Sequence, residues 1–301
     1  KASLKTSLFV AQLVKDVGLD LFKTADAYIN SVLPNISKEY KAFIDAQLLI
    51  TLQTTSKDLS LLARSLGLAY PFHKVFYANG GMGKIIEDLL KDVNVQNNEQ
   101  IISIKKEENK YKIISTKDEY LASKVILNSA VFESSKLFLD DEIKKYYDSF
   151  SFSDQSAFVV YVKLDSKEDF LHHYQIILKN NIPNCISNSF FISFSDKDDK
   201  KLSKDGYSLT ISTHSKAIFW EGLTQEEYEN KKEETKKFIL KEFLNNFENL
   251  KEKDISISFA GTSKTFYRYI NRGNCGGKPI TYKNIFQLPS CNTPFEGLYN
   301  V

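Results

Sequence analysis

A glycine-rich turn is the feature of the sequence with the clearest chemical meaning. Residues 77–83 read YANGGMG and lead into a segment whose apolar residues recur at helical spacing. Glycine lets the backbone approach a ligand closely, and free N–H groups at a helix N-terminus bind anions. The residues that follow lack the third glycine of a dinucleotide fingerprint, however, and they do not form a Walker loop. The pattern alone therefore favours a tight turn at the start of a helix over a ligand-binding loop.

Two of the three arginines lie beside a second glycine cluster. Arg268 and Arg272 precede residues 273–277, which read GNCGG, whereas Arg64 is distant in the sequence. Arginine presents a planar fork of donors, so this pair suits a carboxylate or a flavin phosphate. A flexible surface loop with solvated arginines explains the same residues, and the pattern alone favours that simpler interpretation.

Support for nucleophilic or metal chemistry is weak. The chain has no GxSxG motif, and its four histidines form no ligand pattern. His172 and His173 lie between predicted strands, where packing or surface roles are commoner. The three cysteines show no CxxC spacing, so we predict neither a disulfide framework nor a metal site. Cys275 is a candidate exposed thiol, but no neighbour in the sequence indicates a lowered pKa.

The composition is that of a folded protein, and it excludes several functional classes. Apolar residues make up 42% of the 301 residues and charged residues 26%, which suffices to bury a core. Lys and Arg number 40 and Asp and Glu 38, so the strong positive field of a nucleic-acid-binding protein is missing. No apolar run approaches the roughly 18–20 residues of a membrane span, and no secretory signal is visible. We therefore expect a cytoplasmic protein with reduced thiols.

The periodicity predicts a mixed α/β protein with three interleaved parts. Residues 5–70 are helical. The glycine turn then leads into a helix, a hairpin around residues 107–110 and the apolar run Val125–Leu127, which is typical of a strand buried on both faces. The third part is an antiparallel sheet with a long helix that begins at a capping box of Thr224 and Glu227. The strands predicted for this sheet are residues 157–164, 174–178, 190–194, 207–213 and 255–259.

The two ends of the sequence predict an internal piece of a longer protein. The only methionine is Met82, so the chain begins at Lys1 without an initiator. It stops just after the apolar segment 295–300, whereas natural C-termini more often end in polar residues. A trimmed or processed chain explains the start better than the end.

Taken in chain order, these segments resemble the carotenoid desaturases and isomerases, the phytoene-desaturase-like branch of FAD-dependent enzymes with the amine-oxidase fold. Residues 77–83 are similar to the family's YPxGGxG stretch, although Ala78 stands where proline is common. Residues 261–266, GTSKTF, resemble GTPxTF. The other similar segments are residues 41–53, 101–104, 124–130, Arg272 with Gly276 and Gly277, and residues 297–301.

The resemblance covers nearly the whole chain and implies part of a two-domain FAD-binding oxidoreductase fold. The implied parts are a substrate domain, made of an antiparallel sheet plus helices, and a partial dinucleotide-binding domain. The 301 residues lack the family's N-terminal strand–GxGxxG–helix and the GD segment expected after Val301. The implied division is residues 1–75 and 149–262 for the substrate domain, 76–148 for the partial FAD-binding domain, and 263–301 for a segment returning toward that domain.

The resemblance also implies FAD as the cofactor and suggests which residues lie near it. FAD is expected close to the turn at Gly80 and Gly81, with its adenine near the backbone of Ile101 and the dinucleotide near Asn128 and Ser129. In this family FAD accepts a hydride from a polyene C–H bond, or acts in its reduced form in isomerases without net oxidation. Because the GxGxxG segment is missing, we expect these residues alone to bind FAD poorly and to be inactive.

The catalytic residue and the partners are less well defined. Arg272 is the best-matched polar candidate for a catalytic role, and no acid or base is identified. The implied substrate is a hydrophobic, carotenoid-like polyene, with no nucleic acid as partner and the oligomeric state left open. The sequence leaves three roles open for the N-terminal helices. They line an apolar tunnel for the substrate, they contact a membrane surface peripherally, or they form ordinary core. A carotene isomerase is the nearest rival to a desaturase, and a non-catalytic binding module derived from the substrate domain is the rival of another class.

Overall fold

The computed structural model describes residues 11–12, 14–16, 18–69, 76–275, 280–281, 284 and 289–301. Helices and strands are mixed along the chain, as the periodicity predicts. The α-helices are α1 (Ala25–Val32), α2 (Lys38–Leu52), α3 (Leu61–Ala69), α4 (Met82–Leu89), α5 (Asp141–Asp148), α6 (Gln225–Asn245) and α7 (Ser263–Ile270). The strands are β1 (Ile101–Glu107), β2 (Lys110–Ser115), β3 (Glu119–Ala122), β4 (Val125–Leu127), β5 (Gln155–Leu164), β6 (His173–Ile177), β7 (Ser189–Phe194), β8 (Tyr207–Lys216), β9 (Ile255–Gly261) and β10 (Leu298–Asn300).

The chain divides into two compact units. The first consists of Lys1–Glu87 and Asp154–Lys283, and the second of Asp88–Ser153 and Asn284–Val301. Each unit is therefore built from two segments that are far apart in the sequence.

A five-stranded antiparallel sheet forms the centre of the first unit. Its strand order is β6-β7-β8-β5-β9, and β5 pairs with β8 along its whole length. Every second side chain of β5 and β8 is buried on the face that carries α6, because side chains alternate across a sheet. Phe158 and Ile211 from the strands and Ile239 and Phe243 from α6 are 0% exposed. All the strands predicted for this sheet are present.

Helix α6 begins where the sequence predicts. The Thr224 hydroxyl accepts a hydrogen bond from the N–H of Glu227 at 3.3 Å, and the Glu227 carboxylate accepts the N–H of Thr224 at 2.8 Å. This reciprocal pairing satisfies two N–H groups that the first turn of a helix leaves without partners.

Helices α1 to α3 form a helical layer in the first unit. The hydroxyls of Thr24 and Ser37 begin α1 and α2 by accepting hydrogen bonds from the N–H groups of Ala27 and Tyr40. The helical region predicted over residues 5–70 is present, where the structure describes it, as a series of short helices. The small core of this layer contains Ala25, Ile29, Ile44, Leu48, Leu59 and Ala63.

The second unit contains a three-stranded antiparallel sheet and a two-stranded parallel sheet. The hairpin of β1 and β2 is present as predicted, and β3 extends it. Strand β4 pairs in parallel with β10, with Leu298 opposite Val125. The prediction that Val125–Leu127 is buried on both faces is wrong, because Ile126 is 65% exposed while the residues on either side of it are buried. Only one face of β4 packs into a core.

One glycine permits this parallel pairing. Gly297, just before β10, has a φ of +79°, a conformation that side chains other than glycine rarely adopt. A Cβ atom at this position would lie 2.6 Å from the carbonyl oxygen of Ser123. The Gly297 carbonyl accepts a hydrogen bond from the N–H of Val125 at 2.7 Å, which sets the start of the parallel pair.

Candidate functional site

The glycine turn is fastened to the loop between β7 and β8 by a buried carboxylate. Asp199 is 3% exposed, and its Oδ2 atom accepts hydrogen bonds from the Gly80 N–H at 2.6 Å and the Tyr77 phenol at 2.9 Å. Its Oδ1 atom accepts the N–H of Lys201 at 3.2 Å. The Gly80 hydrogen bond contributes most to holding the pKa of Asp199 below its usual range. The turn therefore already holds an anion supplied by the chain itself.

The two glycines of the turn have a structural explanation. Gly80 and Gly81 have φ values of +86° and +81°. A Cβ atom on Gly80 would lie 3.2 Å from the Lys201 side chain, and one on Gly81 would lie 3.1 Å from Leu202. The Gly81 N–H donates to the Ala78 carbonyl at 2.8 Å, so neither glycine amide is left for a phosphate. With both amides occupied, the turn is not suited to bind the pyrophosphate of FAD. That Gly80 and Gly81 lie near FAD remains a prediction.

The position of the turn also differs from the grouping that the sequence predicts. The turn belongs to the first unit, whereas the hairpin and β4 belong to the second. Besides the Asp199 hydrogen bonds, the Tyr77 ring stacks on His172 with ring centroids 4.9 Å apart. The helix that follows, α4, exposes its apolar side chains, and Met82 and Leu89 are 71% and 72% exposed. The amphipathic pattern correctly predicts a helix here but does not reveal which surface its apolar face meets.

The other three predicted cofactor residues lie in the second unit. Asn128 follows β4 at the carboxyl edge of the parallel pair, and its side chain is exposed. The hydroxyl of Ser129 is hydrogen-bonded to that of Ser134 at 2.9 Å, and Ile101 is half-buried at the start of β1. Dinucleotides bind beyond the carboxyl ends of parallel strands, where polar groups face an open crevice. The exposed amide of Asn128 at such an edge fits this group.

Arg272 lies in a loop that closes onto the start of β5. The Cys275 N–H donates to the Gln155 carbonyl at 2.7 Å, and the Ser156 hydroxyl donates to the Gly273 carbonyl at 2.7 Å. Within the described residues, the buried Nε of Arg272 has no hydrogen-bond partner, and neither has the buried Oε1 of Gln155. An unpaired buried donor or acceptor is costly, so a polar group that reached either atom would be stabilised.

Cys275 is exposed at the residue level, but its thiol is not activated. Burial raises the pKa of this thiol, and the nearby Arg272 charge opposes the effect without outweighing it. A protonated thiol is a weak nucleophile. The glycines Gly276 and Gly277, which contribute to the family resemblance, lie outside the described residues.

The face of the five-stranded sheet opposite α6 carries a titratable group that the sequence does not single out. Gln47 of α2 donates a hydrogen bond to Gln175 of β6, so α2 lies over this part of the sheet. Burial lowers the pKa of His214 in β8 to about 4, and the Leu49 carbonyl of α2 partly opposes the shift. His214 is therefore neutral at neutral pH.

The predicted site residues are divided between the units. Gly80, Gly81 and Arg272 are in the first, and Ile101, Asn128 and Ser129 are in the second. Among the residues that the structure describes, no group of three His, Cys, Asp or Glu side chains has the arrangement needed to hold a metal ion. No described helix has the length and apolarity required to cross a membrane.

Known proteins resemble this chain in both sequence and fold. The prolycopene isomerases of Daucus carota and Arabidopsis thaliana are 32% and 33% identical over 117 residues, or 38% of this chain. This match spans about a fifth of the length of each isomerase. No protein-family model matches.

Solved structures of amine oxidases superpose on most of the chain. A putrescine oxidase variant has a TM-score of 0.62 at 16% identity, covering 96% of this chain and 63% of the oxidase. The cyclohexylamine oxidase of Brevibacterium oxydans has a TM-score of 0.60 at 13% identity, covering 94% and 62%.

The fold is that of the two-domain amine-oxidase class, which confirms the fold class predicted from the sequence. Together with the isomerase relatives, it confirms the resemblance to the carotenoid desaturase and isomerase family.

Proposed function

We propose that this chain is part of an FAD-dependent oxidoreductase that acts on a hydrophobic polyene. The observation that supports this most directly is the match to two prolycopene isomerases in a chain with the amine-oxidase fold. The exposed carboxyl edge of the parallel pair, with Asn128 beside it, provides a surface suited to a dinucleotide.

The chain's own residues would hold and orient the two reactants. Asn128 and Ser129 of the second unit would bind the dinucleotide at the strand end, and the backbone of Ile101 would lie near its adenine. FAD, when bound, supplies the hydride acceptor or donor for an otherwise unreactive C–H bond. The protein's part is to orient the polyene and to exclude water from it.

Carotenoid desaturation is the reaction we propose first, and carotene cis–trans isomerisation with reduced FAD is the second candidate. The names of the sequence relatives favour the second. A non-catalytic module derived from the substrate domain is a third candidate. Arg272 is the proposed catalytic residue, since its buried Nε has no hydrogen-bond partner among the described residues.

Peripheral contact with a membrane surface belongs to the same proposal, because carotenoid-like substrates dissolve in lipid. The helical layer exposes several large apolar side chains, among them Val32 at 54% and Leu66 at 66%. Such side chains would enter the interface of a bilayer without crossing it.

The cofactor part of the proposal is tested on the full-length protein encoded by the gene. We expect a flavin absorbance band at about 450 nm and a product that either has lost two hydrogens or has an unchanged mass. Replacing Asn128 by Ala should lower the bound flavin about threefold, because one dinucleotide contact is lost. Lys124→Ala, exposed at the opposite end of β4, is the matched control and should leave the flavin content unchanged. A full-length protein with no flavin would overturn the enzyme assignment in favour of the binding module.

A further inference from the structure

The face of the five-stranded sheet opposite α6 changes character from one side to the other. On the β6 and β8 side, helix α2 covers the sheet. Its Gln47 side chain is hydrogen-bonded to Gln175 of β6, and its Leu49 carbonyl is hydrogen-bonded to His214 of β8. On the β5 and β9 side, the register places Tyr161 opposite Phe259 and Val159 opposite Gly261. The α2 contacts described above are with β6 and β8, whereas edge strand β9 and its neighbour β5 carry an aromatic and aliphatic surface on the same face of the sheet.

Three rings form this surface. The Tyr161 and Phe259 rings are stacked with centroids 5.0 Å apart and planes inclined by 20°. Phe266 of α7 comes beside them, since a Cβ atom on Gly261 would lie 3.4 Å from the Phe266 ring and 3.5 Å from the Tyr161 ring. Phe259 and its strand neighbour Ile257 are 57% and 58% exposed. Most apolar side chains of this size are more deeply buried, so this arrangement needs an explanation.

Charge and size restrict what covers the surface. In the paired register the next residue on the same face is Lys163, and its ammonium group is paired with Asp165. Lys163 therefore offers no unpaired charge to attract an anionic occupant, which favours an uncharged one. An aromatic side chain buries about 150–250 Å², so these few side chains fall short of the roughly 800 Å² per partner of a stable protein interface. A small apolar ligand fits better than a second protein.

We propose that Phe259, Tyr161 and Phe266 form an aromatic wall that selects a flat, conjugated, uncharged hydrocarbon. A conjugated chain presents π-faces and stacks on aromatic rings, whereas a saturated chain of equal length has no such faces. This inference rests on the proposed function for the identity of the ligand class, and it assigns the discrimination between conjugated and saturated chains to named residues. Phe259, the most exposed of the three rings, is the specificity-determining residue.

The test uses the 301-residue chain and the neutral conjugated probe diphenylhexatriene, whose fluorescence rises when it leaves water. Phe259→Ala should weaken probe binding at least about fivefold, because stacking and apolar contact are both lost. Phe259→Leu, which keeps apolar volume but no ring, should give an intermediate loss. Tyr269→Ala is the matched control, since Tyr269 is an aromatic residue of the same unit, 77% exposed on α7. It should bind the probe like the wild type, and circular dichroism should show that every variant is folded.

A competition experiment completes the test. Dicyclohexylhexane, which is fully saturated and has no π-faces, is the competitor. It should displace the probe several-fold less well from the wild type than from Phe259→Ala, compared at equal occupancy by the probe. The inference is overturned if Phe259→Ala binds like the wild type, if Tyr269→Ala loses as much, or if the saturated compound competes as well as a conjugated one. It is also overturned if light scattering shows a wild-type dimer that Phe259→Ala dissociates, because the surface is then an interface between copies. Flavin content of the full-length protein is measured separately, so a flavin-free protein with the expected probe pattern would refute only the enzyme assignment.

Discussion

His214 in the first unit is a residue whose surroundings strongly alter its acid–base behaviour. Burial between β8 and α2 favours the uncharged imidazole and lowers its pKa from 6.5 to about 4. The unfolded chain, in contrast, takes up this proton near the ordinary value. Folding is therefore linked to proton release from this side chain.

This linkage predicts a loss of stability in mild acid. Above pH 6.5 His214 is neutral in both states and the contribution is fully present; as pH falls toward about 4, the unfolded state binds a proton that the folded state rejects. The free energy of unfolding should fall by about 2–3 kcal/mol over this range, because a tenfold difference in proton affinity between the two states corresponds to about 1.4 kcal/mol. Urea denaturation at a series of pH values measures it. His214→Gln should have a flatter profile between these pH values, and an unchanged profile would show that other groups cause the effect.

At the scale of elements, one carboxylate makes the side-chain hydrogen bonds that hold the glycine turn to the loop between β7 and β8. Asp199 accepts the N–H of Gly80 and the phenol of Tyr77, and these bonds join α4 to the loop between β7 and β8. Because the pKa of Asp199 is lowered in the folded protein, this fastening is present above the ordinary carboxyl pKa and is lost as pH falls through the folded value.

Removing the carboxylate should release the turn. In Asp199→Ala we expect the Gly80 amide to exchange with solvent roughly tenfold faster, because a hydrogen bond to a charged acceptor is lost. Hydrogen exchange followed by mass spectrometry or NMR measures the change. Asp198→Ala is the control, since this neighbouring aspartate is exposed and the turn does not bind to it. Equal protection in the two variants would show that packing on Lys201 and Leu202 holds the turn instead.

Local rules predict many of these elements from the sequence, but they do not predict their partners. The capping box at Thr224 and the alternation of β5 and β8 act within a few residues, so they are legible in the sequence. Asp199 lies in the run DKDDKK, which is typical of a solvated loop, and only the folded chain brings it to Gly80. Ile126 looks like its buried neighbours because an apolar run does not show which face is covered. The candidate site residues follow from family resemblance, not from any spacing of their own.

At the scale of the whole molecule, distant segments complete each unit. The second unit joins Asp88–Ser153 to Asn284–Val301, and the β4–β10 pair is where the two segments meet in a sheet. Leu298 of β10 is 0% exposed and packs into the core of this unit with Val125 and Leu127. The stability of the second unit therefore depends on Leu298, which is far in the sequence from the residues 88–153 that make up most of the unit.

Truncating this residue should destabilise the second unit. Leu298→Ala is expected to lower the free energy of unfolding by about 2–4 kcal/mol, because it leaves a cavity in a closed core. Ile126→Ala, in the partner strand but 65% exposed, should change it by no more than about 0.5 kcal/mol. Thermal or urea denaturation followed by circular dichroism measures both. Similar effects of the two substitutions would show that β10 does not pack as described.

The parallel pairing of β4 with β10 also has a consequence for synthesis on the ribosome. Val125–Leu127 emerges long before Leu298–Asn300, and translation at about 5–20 residues per second puts roughly 10–30 s between the two. During that delay the edge of β4 that later pairs with β10 is unpaired. Chaperone binding or premature association with other chains then competes with correct pairing. Slow codons between the two segments would lengthen this exposure, and fast ones would shorten it.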